Sequence, residues 1–170
     1  MKRHARVLLV GSFALLLAPG PGWGAQKDED AELAHALKGV KVSLKQGITA
    51  STAKGKPISA KFEVEDSKLQ LSVYTEKGGE FSEVLVDPKT GRVAKVEKIE
   101  EGDDLAAAKE QTETMAKAKT GLGAAADAAV KKNPGYRPVG VTPSLKDGHP
   151  VADVSLIKGD EVKTDSERLD

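Results

Sequence analysis

The sequence predicts an α+β fold of two tandem small modules, each one helix packed on an antiparallel sheet of three to four strands. Three observations carry this. At Pro57 the hydrophobic period changes from helical to two, and Ile58, Ala60, Phe62 and Val64 alternate with Ser59, Lys61, Glu63 and Glu65. The alternating runs are joined by only a few residues of turn chemistry, which suits antiparallel neighbours. The order helix, strand, strand, strand then recurs. Sliding the second half back by 81 positions places Ala152, Val154 and Val162 on Leu71, Val73 and Phe81, and Lys158-Gly159 on Lys77-Gly78.

Composition narrows the classes of function. The 170 residues include 26 Lys+Arg against 26 Asp+Glu. That balance argues against a nucleic-acid binder or a protein held on anionic lipid by charge. Cysteine is absent, which excludes disulfide staples, thiolate metal sites and a cysteine nucleophile.

Residues 1–24 read as a secretory signal. A basic start, MKRHAR, precedes the apolar run Val7 to Ala18; Pro19 to Gly22 break it, and Gly22 and Gly24 flank Trp23 as small exit residues. The run is far shorter than the roughly 20 apolar residues that span a bilayer. Cleavage is expected after Gly24. It removes Lys2, Arg3 and Arg6 and no acid, so 26 bases fall to 23 against 26 acids, net −3. Phe62, Tyr74, Phe81 and Tyr136 are then the remaining aromatics. Cores built from Leu, Ile, Val and Ala favour two thin cores over one thick one.

Residues 25–40 form a lead-in or helix, with Leu33, Ala34 and Leu37 on one face and Gly39 as the stop. The first module spans residues 41–100. Ser43-Leu44-Lys45-Gln46 fits a capping box, which starts a helix running from Leu44 to about Ala53. Strands follow over Ile58–Glu65, Leu69–Tyr74, Glu80–Asp87 and Val93–Ile99, with turns at Asp66-Ser67, Lys77-Gly78-Gly79 and Asp87-Pro88-Lys89-Thr90-Gly91.

Residues 101–119 read as a linker helix: Leu105, Ala108, Thr112 and Met115 make a stripe too narrow for a coiled coil. The second module, residues 120–170, opens on a helix with Leu122, Ala125, Ala126, Ala129 and Val130 at helical spacing, stopped by Asn133-Pro134-Gly135. Strands are expected at Tyr136–Val141, Pro150–Ile157 and Glu161–Thr164; this copy stops short of a fourth strand.

The stretch from Leu44 to Val96 resembles a PepSY domain. Gly55-Lys56-Pro57-Ile58-Ser59-Ala60 leading into the first strand carries the resemblance, together with Val84-Leu85-Val86-Asp87-Pro88-Lys89-Thr90-Gly91-Arg92-Val93. The second half is similar in its alanine-rich helix and its Asn133-Pro134-Gly135-Tyr136 exit but lacks the Thr-Gly ending. The resemblance implies a small helix-on-sheet module of the cell envelope that restrains peptidases or binds as a regulator and is not catalytic. It transfers no active site, since the matching residues are turn and core positions. Asp87 and Gly91 read as turn-forming.

No residue is assigned a catalytic, cofactor-binding or metal role. His35 and His149 remain after cleavage, neither with a second histidine at metal spacing. His149 with Asp147 or Asp153 has the right residue types, but a solvated turn histidine is the reading taken. Gly121-Leu122-Gly123 reads as a joint between helices rather than an anion loop. Glu97, Glu100, Glu101, Asp103 and Asp104 read as a solvated run that favours the start of the next helix. No Gly-x-Ser-x-Gly elbow occurs. The expected function is therefore that of a non-enzymatic exported module in the bacterial periplasm or beyond. Its expected partner is a protein, a peptidase being the favoured kind, with no cofactor, no nucleic acid and no membrane insertion after cleavage. The alternatives are a periplasmic small-ligand or cation-binding protein and a purely structural envelope protein.

Overall fold

The computed structural model describes residues 23–170. Its elements run α1 (Trp23–Ala36), α2 (Leu44–Ser51), β1 (Lys56–Glu65), β2 (Lys68–Lys77), β3 (Glu80–Val86), β4 (Val93–Ile99), α3 (Gly102–Lys117), α4 (Leu122–Lys132), β5 (Arg137–Lys146), β6 (His149–Lys158) and β7 (Glu161–Arg168). The fold is α+β. The basic start and apolar run of the expected signal lie outside the described residues, and α1 begins at Trp23.

Local chemistry explains most elements. The Ser43 hydroxyl accepts from the Gln46 amide at 3.2 Å, while Gln46 Oε1 accepts from the Ser43 amide at 2.7 Å. This capping box opens α2, whose Leu44, Gly47, Ile48 and Ser51 are buried. Asp66 and Ser67 (φ 49° and 59°) close the β1–β2 hairpin, as Asp147 and Gly148 (φ 53° and 80°) close β5–β6. Asp87 Oδ1 accepts from the amides of Lys89 and Thr90, both at 2.8 Å, and Gly91 takes φ 70° to complete the β3–β4 connection.

The strands form one antiparallel sheet of seven, in the order β4-β3-β2-β1-β5-β6-β7. The two sheets expected from the sequence thus meet edge to edge: Ala60 pairs with Val141 and Lys61 with Gly140. The equivalence at 81 positions extends to the element ends, since β1 and β5, and β2 and β6, begin and end in step. Register shifts fall between Pro57 and Ser59 and between Pro138 and Gly140, again in step. A proline cannot donate to the ladder, so the extra residue sits where a donor is missing. One expectation fails here for that reason. Ile58 leaves the face of Ala60 and Phe62 and packs instead with Phe81 and Ala108.

Two faces follow from alternation. The inner face carries Leu71, Val73, Val84, Val141 and Val154 beneath α2 and α4 and forms the main core, shared by both halves of the chain. The separation into two thin cores gives way to this shared one because β1 and β5 bring the two apolar faces side by side. The outer face carries Lys61, Glu63, Ser72, Tyr74 and Glu83. Helix α3, expected as a linker, lies across it: Leu105 and Ala108 meet Ile58, Tyr74, Phe81 and Ile99, and Ser59 Oγ donates to Gln111 Oε1 at 2.7 Å. A stripe too thin for a coiled coil is wide enough to cover a sheet. Strand β5 also runs past its expected end at Val141. Pro143 is accommodated because pairing with β1 has already ceased there.

Candidate functional site

Three surfaces gather polar or exposed groups. The first lies on the outer face beside α3. Ser72 Oγ donates to Glu63 Oε1 at 2.7 Å, and Lys61 Nζ lies 2.6 Å from Glu63 Oε2. Glu83 stands between Tyr74 on β2 and Glu97 on β4 and is buried. Burial pushes the Glu83 carboxyl up from its ordinary pKa, and nearby Glu63 adds to the shift. Burial, then the Glu83 charge, raises the Tyr74 phenol in the same way.

This has a measurable consequence. A carboxyl whose pKa is raised on folding binds its proton more tightly in the folded state. The Glu83 contribution to stability is therefore fully present below the ordinary carboxylate pKa and is lost as pH rises through the raised folded-state pKa. Glu83→Gln keeps the shape without the charge. It is expected to melt about 2–4 °C above the parent at pH 7.5, with the gap closing by pH 4. Parallel thermal melts at the two pH values check this.

The second surface is the β7 edge. Lys132 Nζ of α4 lies 2.7 Å from Glu167 Oε2, and Asn133 Nδ2 donates to Asp165 Oδ2. The strand's end is anchored, for Leu169 is fully buried, donates to Pro150 O at 2.9 Å and accepts from the amides of Lys119 and Thr120. Beyond it, Asp170 accepts from Arg168 at 2.8 and 2.9 Å and lies 2.7 Å from His149 Nδ1. Arg168 and His149 hold the Asp170 carboxyl well below the usual carboxylate range.

The third is the β4 edge. One row of cross-strand neighbours crosses the sheet on its inner face as Asp165, Val154, Val141, Ala60, Val73, Val84 and Val96. Asp165 closes the row at β7 with a charge. At β4 it ends in Val96, which is 43% exposed.

The residues singled out in the sequence fall as follows. Asp87 and Gly91 build the β3–β4 turn, and backbone donation from Thr90 and Lys89 lowers the Asp87 pKa. His149 meets Asp170 and Arg168; Asp153 instead pairs with Lys146 at 2.7 Å and Asp147 occupies its turn. His35 is exposed in the last turn of α1. Gly121 caps α4 through its backbone. Glu97 pairs with Lys95, and Asp103 and Asp104 lie in the first turn of α3. Among the described residues no group of three or more His, Asp or Glu gathers at metal-binding spacing, and no helix is long and apolar enough to cross a membrane. Sequence reading points to strand edges as available surfaces without saying which strands form them, and it missed Arg137, which ties the segment between α1 and α2 to the sheet. Edges have no local signal, because they depend on strand order.

No family model matches the chain, and no curated protein matches it. A crystal structure from Clostridium difficile 630 that bears the name "putative lipoprotein" is similar over 71% of this chain and 88% of its own, at 14% identity and a TM-score of 0.35.

Proposed function

We propose that this protein is an exported, non-catalytic binding module of PepSY type, built from a duplicated helix-and-hairpin unit, that restrains an envelope peptidase by accepting an extended segment on β7. Duplication is supported by the bulges at Pro57/Ser59 and Pro138/Gly140, which recur in step with the hairpin turns. The observation that carries the binding mode is the unequal treatment of equivalent strands. In the first half β4 lies beside β3; in the second, among the described residues, β7 has no neighbour on its outer side. A partner strand fits the place β4 takes in the other half, through main-chain hydrogen bonds.

The register defines the test. Gly159 and Asp160 make a two-residue turn closed by the Lys158–Glu161 pair. Pairs then alternate in hydrogen bonding, so Thr164, opposite Ser155, turns its amide outward. Tagged protein from Ala25 to Asp170 should capture one peptidase from its own envelope extract in near-stoichiometric amount. Thr164→Pro, which removes an outward donor and no ladder bond, should reduce capture about tenfold or more, while Thr164→Val leaves it unchanged. An empty capture under crosslinking, or capture indifferent to Thr164→Pro, rejects the reading.

A further inference from the structure

We propose that β4 is a self-association edge through which two copies of this chain join their sheets, antiparallel and centred on Val96. This goes beyond the partner site on β7 and uses the opposite end of the sheet. The inner-face row described above ends in Val96, whose inner neighbour Val84 is fully buried. Among the described residues, Val96 is one of two large hydrophobic residues that are exposed, and its strand has no neighbour on its outer side. A second Val96 would continue the row into another copy's Val84 and so bury both valines.

Charge selects the register. When the two inner faces lie on the same side, an antiparallel self-pairing sets one residue opposite itself. Centring on Lys95 opposes two ammonium groups, and centring on Glu97 opposes two carboxylates. Centring on Val96 opposes Val96 to Val96 and sets each Lys95 opposite the other copy's Glu97, within the regular stretch Lys95–Ile99 that follows the bulge at Ala94. Lys95 Nζ already lies 2.6 Å from its own Glu97 Oε1, with the side chains 50% and 39% exposed. Both groups are therefore in place to form cross-strand pairs, and the arrangement closes after two copies. The contact is small, so the dimer is weak and concentration-dependent.

The test is sedimentation equilibrium of the chain from Trp23 to Asp170, which holds every described element, from about 10 μM to about 1 mM. The parent is expected to pass from monomer to dimer over this range. Val96→Lys, which sets two ammonium groups across the axis, should weaken the dimer about tenfold or more, as should Lys95→Glu, which opposes carboxylates twice. The double variant Lys95→Glu/Glu97→Lys restores both pairs and should return the dissociation constant to within about threefold of the parent. All three side chains are exposed at an edge, and an unchanged melting temperature at low concentration checks each fold. A parent monomeric throughout, a dimer indifferent to Val96→Lys, or a charge swap that fails to restore association overturns the proposal. Because β7 is untouched, failure here leaves the partner reading standing, and Thr164→Pro alone bears on that one.

Discussion

Arg137→Met is expected to cost about 2–4 kcal/mol of folding stability and to release the segment between α1 and α2. The Arg137 guanidinium donates to the carbonyls of Val42 at 2.7 Å, Val40 at 3.0 Å and Leu37 at 3.5 Å. Its carbon lies 5.2 Å from the centre of the Phe62 ring, where a cation is attracted to the aromatic face. Burial lowers the Arg137 pKa, but a guanidinium starts so high that it stays charged. Methionine keeps much of the stem's packing and removes every donor, so three carbonyls beyond the α1 terminus lose the partner that orders them. Arg137→Lys is the informative control. One ammonium cannot reproduce a planar fork, and an intermediate loss is expected. Denaturant unfolding gives the total, and amide exchange faster in residues 37–42 than in the sheet shows that the loss begins there.

That residue also marks how far the sequence could be read. The capping box at Ser43, the strands β1 to β4 and the Asp87–Gly91 turn are legible because each depends on neighbours within a few positions. Periodicity gives the same local information for α4 and β6. What was not legible is non-local. Whether two similar sheets stand apart or meet is decided by Ala60 against Val141, two small apolar residues that look alike in any strand. Helix α3 reads as a linker when its stripe is set against another helix, whereas the outer face it covers offers Ile58, Tyr74 and Phe81. Ile58 joins that face only through the bulge after Pro57, and alternation alone predicts the other. The candidate surfaces were hidden in the same way. Val96 reads as an ordinary inward valine until strand order makes β4 an edge, and Thr164 gains its outward amide only from the register with Ser155.

Gly47 joins local and non-local demands in one residue. By helix propensity alone, Gly47→Ala in the middle of α2 should stabilise by about 1 kcal/mol. The opposite is expected. A methyl group there would lie 2.4 Å from Leu71 Cδ2 and 2.9 Å from its Cγ. Leu71 is fully buried in the main core, so it cannot turn aside without disturbing its neighbours on β1 and β3. Overpacking of this kind costs about 1–3 kcal/mol and outweighs the propensity gain. Leu71→Ala alone should cost about 2–5 kcal/mol through lost burial and the cavity left behind. Combined, the two changes relieve each other, since the alanine methyl at position 47 enters the space vacated at position 71. The double variant should be no less stable than Leu71→Ala, with a coupling of about 1–3 kcal/mol between the sites in a denaturant-based double-mutant cycle. Additive losses would mean that α2 moves away from the sheet to admit the methyl. The glycine would then matter for backbone freedom, and the close approach of α2 to β2 would not be what places it there.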